Sequence, residues 1–206
     1  MVSQLFYVDI CEYRLTTVYS VHILYIYIYK QYMHRYKQGG VEMEALLHVN
    51  HLEKNLDEFV LKDVNLTLQP GYIMGLIGVN GTGKTTLIQT ILNLYKKDAG
   101  DVYVNGYSME EQEREAKDQV GFVLDKNVFE ESLSVWKNAK LFGKLYSRFD
   151  EEVFRECCER FQVPLNQKVG KLSTGYQVRF QLAFALSHDA KLFILDVNWC
   201  NKIACI

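Results

Sequence analysis

Residues 78–85 read Gly78-Val79-Asn80-Gly81-Thr82-Gly83-Lys84-Thr85. They match the pattern GxxxxGK[ST] at every specified position. An apolar run, Ile73 to Ile77, precedes them, and a helical pattern from Thr85 to Tyr95 follows. That order predicts a strand, a tight glycine turn and a helix. The glycines let successive backbone N–H groups curl into one concavity, with the positive end of the helix behind it. Such a nest binds phosphate oxygens. Lys84 adds a point charge at the terminal phosphates, and the Thr85 hydroxyl is a hard oxygen ligand suited to Mg²⁺. The stretch therefore predicts a nucleoside triphosphate site in an α/β domain.

The rest of the composition sets limits. A chain of 206 residues suits one domain, or one domain with an appendage. Its 49% hydrophobic and 23% charged content is that of a globular protein, and the net charge of −2 gives no basic field for nucleic acid. The five cysteines (Cys11, Cys157, Cys158, Cys200 and Cys205) lack metal-ligand spacing, and are expected to be free thiols in a reducing compartment. The longest apolar candidate for a membrane span, Val18 to Tyr29, is interrupted by Ser20 and His22 and falls short of about 18–20 residues.

Residues 1–42 differ in composition from the rest of the chain. They hold eight of the 14 tyrosines, including YIYIY at 25–29. The segment 23–29 offers apolar groups to both faces and could pass as a buried strand. Gly39-Gly40 can be encoded by a purine-rich ribosome-binding sequence ahead of a start at Met43. The expectation is thus that residues 1–42 are a non-native or disordered extension; the alternative is a real extension packed as an edge hairpin. Residues 43–196 read as mixed α/β, with strands at 45–50, 60–68, 72–77, 101–105, 119–124 and 191–195. Helices are expected at 84–95, 109–117, 134–147, 149–162 and 174–188. Ser134 can cap one helix, Asp150 with Glu151 and Glu152 opens the next, and Pro164 is expected to close it. Residues 197–206 read as an unrelated tail.

A second stretch narrows the class. Leu172-Ser173-Thr174-Gly175-Tyr176-Gln177 precedes a helix of small and apolar residues, which leads to the strand Leu192 to Asp196. Here the sequence resembles the ATP-binding subunits of ABC transporters over about residues 45–196. LSTGYQ is similar to their LSGGQ signature, and LFILD to their Walker B strand. The resemblance implies a P-loop NTPase of ABC type, with an antiparallel β subdomain and a helical subdomain inserted at about 127–171. It implies Mg-ATP held by Gly78, Asn80, Gly81, Thr82, Gly83, Lys84, Thr85 and Thr86, with the metal on Thr85, Asp125 and Asp196. Asp125 stands where the family has a glutamine. Ser173 and Gly175 would complete the site of a second copy, paired head to tail as a homo- or heterodimer.

The resemblance further implies a separate membrane permease as partner, no nucleic acid, and a cytoplasmic location on the inner face of the membrane. It places an adenine-stacking aromatic near residue 56, where Leu56 stands and Phe59 is close. The family's hydrolytic glutamate falls on Val197, which can neither accept a proton nor orient water, so no catalytic residue is assigned. His188 cannot replace the family's switch histidine and is expected at the surface. Three readings compete: a working ATPase subunit, a domain that binds ATP without hydrolysing it, and an inactive fragment.

Overall fold

The computed structural model describes residues 5–9, 45–56, 59–76, 81–124 and 127–196. They fall in two units that divide at Gly106 and Tyr107. Gly78, Asn80, Asp125, Val197 and the YIYIY segment lie outside the described residues.

The first unit is built on an antiparallel sheet. Strand β2 (Leu47–Leu56) pairs on one side with β3 (Phe59–Leu68) and on the other with β5 (Ala99–Val104). Leu47, Val49, Leu52, Leu61, Leu66, Val102 and Val104 are buried from these strands. Alternation of apolar and polar residues turns one face inward, as at buried Leu47, exposed His48 and buried Val49. The expected strand at 45–50 therefore runs on to Leu56. The register shifts after Val49, where His51 has φ 47° and Gly100 opposite has φ 85°. A β-carbon on Gly100 would lie 2.3 Å from the His51 carbonyl oxygen, so the bulge needs glycine there.

Strand β4 (Tyr72–Leu76) pairs antiparallel with β1 (Leu5–Asp9), from Leu5 opposite Leu76 to Asp9 opposite Tyr72. Within residues 1–42, these five are the only ones described, and they form a strand. Helix α1 (Lys84–Ile91) follows the phosphate loop and buries Leu87, Thr90 and Ile91. It stops short of the expected residue 95. The Leu92 N–H donates to Ile88 and that of Asn93 to Thr90, and Asn93 turns left-handed at φ 54°. Asparagine tolerates that conformation, so the polar residue ends a run that apolar periodicity would extend.

The second unit opens with β6 (Tyr107–Ser108) and α2 (Glu113–Asp118). It continues through β7 (Val120–Leu124), α3 (Val135–Phe142), α4 (Glu151–Arg160), α5 (Thr174–Ser187) and β8 (Leu192–Asp196). Strands β7 and β8 are parallel, from Val120 opposite Leu192 to Leu124 opposite Asp196. Helix α5 runs on β7 at close range: a β-carbon on Gly121 would meet Ala185 at 2.9 Å and Ala190 at 3.0 Å. The helices share a core centred on Phe154 and Phe180, both fully buried, with Phe129, Phe184, Val135, Val169, Cys157 and Cys158 around them. The Phe129 and Phe180 rings lie 4.2 Å apart between centroids, and Phe154 meets Phe180 edge to face at 6.1 Å.

The caps agree with the sequence, while some lengths do not. Ser134 Oγ accepts the Lys137 N–H at 3.3 Å, and Asp150 Oδ1 accepts those of Glu152 at 2.8 Å and Val153 at 3.1 Å. The helix expected at 109–117 begins only at Glu113, because Ser108 Oγ ties the N–H groups of Glu110 and Glu111 into a turn. The helix expected at 134–147 tightens into a 3₁₀ turn over Gly143–Leu145. Helix α4 ends at Arg160, where Gln162 turns left-handed at φ 57°, ahead of Pro164.

Candidate nucleotide site

The phosphate loop enters α1 through Gly81 and Gly83, both left-handed, at φ 83° and 87°. Gly83 is the N-cap of α1, and a glycine cap offers no side-chain acceptor to the first turn. The N–H groups of that turn have no intrahelical carbonyl to meet. Its residues are Lys84, Thr85 and Thr86, with no acidic side chain among them. Thr85 is exposed. Lys84 reaches back over the loop, its ammonium donating to Thr82 Oγ1 at 3.4 Å. These features suit a polyphosphate: oriented N–H dipoles, one cation, and no carboxylate to repel it. Mg²⁺ bound with such a nucleotide would neutralise phosphate charge, and the residues present fit it through the exposed Thr85 hydroxyl.

Leu56 and Phe59 face each other as register partners at the ends of β2 and β3, and both are half-buried. The Phe59 ring leans on the phosphate loop: a β-carbon on Gly83 would come 2.0 Å from its Cζ. Phe59 therefore packs against the loop, on the same side of the unit as the helix start.

In the second unit, Ser173 is the N-cap of α5, and its Oγ accepts the Tyr176 N–H at 3.4 Å. Ser173 and Thr174 are exposed. A β-carbon on Gly175 would meet nothing nearer than Ser173 Oγ, at 4.0 Å. Among the described residues, none crowds a side chain at that position. The open helix start is what a ligand arriving from outside would need. Asp196 ends β8 beside Leu124, the last residue of β7. Among the described residues no three His, Cys, Asp or Glu side chains gather into a metal-binding group.

A family profile described as ABC transporter matches residues 61–197, more than half of the chain and both helix starts. The chain belongs to the ABC transporter family. It is 33% identical over 156 residues to the uncharacterized ABC transporter ATP-binding protein YdbJ of Bacillus subtilis, covering 74% of this chain and 51% of that protein. It is 32% identical to the phosphonates import ATP-binding protein PhnC of Wolinella succinogenes, over 73% of this chain and 62% of that protein. The Nod factor export ATP-binding protein I of Burkholderia lata is 30% identical, over 74% and 52%. Among solved structures, an ATP-binding subunit of an ABC transporter aligns with TM-score 0.64 and 22% identity, covering 77% of this chain and 70% of that one. A putative ABC transporter ATP-binding protein from Pyrococcus furiosus aligns with TM-score 0.56 and 27% identity, covering 72% and 74%. The chain spans about half the length of the curated relatives YdbJ, YtrB and YhcH. Its fold is thus the ABC-type P-loop NTPase, mixed α/β with an antiparallel sheet and helices.

Two polar residues of this ABC domain escaped sequence reasoning. His188, expected at the surface, is 1% exposed. Its Nδ1 lies 3.0 Å from the Phe184 carbonyl oxygen and its Nε2 3.2 Å from that of Val120. Tyr146 stacks on the ring, 3.9 Å between centroids. Burial holds the imidazole below its ordinary pKa of 6.5, outweighing the two carbonyls. The other residue is Gln181, 2% exposed and bonded to the backbone of Leu124. The available signal was a lone amide inside the otherwise apolar run Phe180 to Leu186.

Proposed function

We propose that this chain is the nucleotide-binding part of an ABC transporter ATP-binding subunit. It holds Mg-ATP through Gly78, Asn80, Gly81, Thr82, Gly83, Lys84, Thr85 and Thr86, with Thr85, Asp125 and Asp196 toward the metal. Ser173 and Gly175 face the nucleotide of a second nucleotide-binding domain, and closure of that pair acts on a separate membrane permease at the cytoplasmic face. The observation that carries this reading is the pair of open helix starts in one chain. One is a glycine-capped start with a lysine and no acid in its first turn; the other is an exposed start whose glycine is not crowded by any described residue. Among the described residues no helix is long and apolar enough to cross a membrane.

Lys84 and the loop N–H groups bind and orient the terminal phosphates, and Phe59 backs the loop from the β3 side. The test is Mg-ATP affinity by calorimetry for wild type and Lys84→Ala. A loss of at least tenfold is expected; equal affinities overturn the reading.

Val197 favours a second reading, in which ATP is bound but not hydrolysed. A general base contributes about 10²–10⁴-fold, and an aliphatic side chain supplies none of it. Steady phosphate release above the Lys84→Ala background excludes this second reading.

A further inference from the structure

Gln181 sits two turns into α5, buried at 2% exposure. Its Oε1 accepts the Leu124 N–H at 2.9 Å, and its Nε2 donates to the Leu124 carbonyl at 3.0 Å. One carboxamide thus satisfies both backbone groups of a single residue. Leu124 is the last residue of β7, the register partner of Asp196, and the neighbour of Asp125 in sequence. The clamp therefore lands on the last rung that pairs β7 with β8.

The same helix is tied again at its other end, where His188 meets the Val120 carbonyl. Seven helical residues from 181 to 188 span about 10.5 Å at roughly 1.5 Å per residue. Four strand residues from 120 to 124 span about 13 Å at roughly 3.3 Å per residue. The lengths match closely enough for α5 and β7 to be held at both ends, antiparallel to each other. Between the ties the contact is bare and small-residue, Gly121 against Ala185. Van der Waals contact of that kind sets separation, whereas paired hydrogen bonds set position along the strand. A buried amide left unsatisfied is costly, so breaking these bonds is disfavoured.

We propose that Gln181 is a positioning residue of the nucleotide site, coupling the helix that begins at Ser173 to the Leu124–Asp196 rung. A shift of α5 at its exposed start is carried to the Leu124–Asp196 rung. Gln181 touches no nucleotide. The proposal rests on the nucleotide-binding reading above, and it assigns to Gln181 the metal-dependent part of ATP affinity.

The experiment compares full-length wild type with Gln181→Met, a side chain of similar length that makes neither bond. ATP affinity is measured with Mg²⁺ and with EDTA, and amide exchange at Leu124 is followed with and without Mg-ATP. Gln181→Met is expected to bind Mg-ATP at least fivefold more weakly while its metal-free ATP affinity stays within twofold of wild type. In wild type, Mg-ATP is expected to slow exchange at Leu124. Equal losses with and without metal assign Gln181 a merely structural role and overturn the proposal, as does an unchanged Mg-ATP affinity. Should Gln181→Met not fold, the wild-type exchange decides: no slowing at Leu124 overturns it. A wild-type chain that binds no ATP under either condition overturns the nucleotide-binding reading as well, and this outcome is distinct because it appears before any substitution.

Discussion

The Phe59 ring lies so close to Gly83 that a β-carbon on the glycine would fall 2.0 Å from Cζ and 2.5 Å from Cε1. Gly83 is also left-handed, at φ 87°. A side chain there meets two separate penalties: the ring must move, and the backbone must hold a conformation that costs about 1–3 kcal/mol for a non-glycine residue. Gly83→Ala is expected to lower unfolding free energy by more than that amount in urea titration and to weaken Mg-ATP binding. Adding Phe59→Ala relieves the contact but leaves the φ penalty, so the double variant is expected to recover only in part.

Gly175→Ala gives the opposite expectation. The position lies in the first turn of α5 with nothing within 4 Å but Ser173 Oγ at its limit, so the methyl group has room. Alanine is the better helix former, and stability is expected to stay level or rise by up to about 1 kcal/mol. Affinity for a second nucleotide-binding domain in Mg-ATP is expected to fall, measured by sedimentation. A loss of stability with unchanged association would show that the glycine serves the fold.

Asn138 is fully buried and bonds Glu130 as Gln181 bonds Leu124. Its Oδ1 accepts the Glu130 N–H at 2.9 Å, and its Nδ2 donates to the Glu130 carbonyl at 2.9 Å and that of Ser134 at 3.1 Å. Asn138→Ala leaves backbone groups unsatisfied at a buried turn, at about 1–3 kcal/mol. Chemical unfolding checks the size, and wild-type stability would refute the role.

His188 predicts a pH dependence. A neutral ring has one N–H for two carbonyls, and a protonated ring would serve both at the expense of a buried charge. Asp118 favours that charge, Arg148 opposes it, Tyr146 stacks on it, and burial prevails, so the native pKa lies below 6.5. The unfolded chain therefore binds more protons than the native one as pH drops below about 6.5. Stability from this group is intact above that point and falls as pH is lowered toward the native pKa. In His188→Gln, the slope of unfolding free energy between about pH 6.5 and 5 is expected to flatten; an unaltered slope would show that other groups cause it.

Cys157 and Cys158 are free and buried, and burial pushes their thiols up to about 11 and about 12. The thiolate is the nucleophile, so both are inert while the domain is folded. Peptide mapping after alkylation at pH 8 is expected to leave both unmodified in the native chain and both modified in urea. Labelling under native conditions would place this helix outside a stable core.

The glycine-capped helix start at Lys84, the serine-capped start at Thr174 and the strands β2 to β5, β7 and β8 could be read from the residues, because each rests on chemistry that is local in sequence. Glycines at 81 and 83, a lysine at 84 and a serine before an apolar helix announce backbone conformations that need no distant partner. Helix ends were less legible, since Asn93 and Gln162 stop their helices through left-handed turns that apolar periodicity does not report. Long-range placement was not legible. His188 read as a surface residue until β7 supplied the Val120 carbonyl, and Gln181 drew no reading until the Leu124 backbone came to meet it. Local conformation follows from a residue and its neighbours. The partner of a buried polar group is chosen by packing between segments about sixty residues apart, so only the assembled fold could name it.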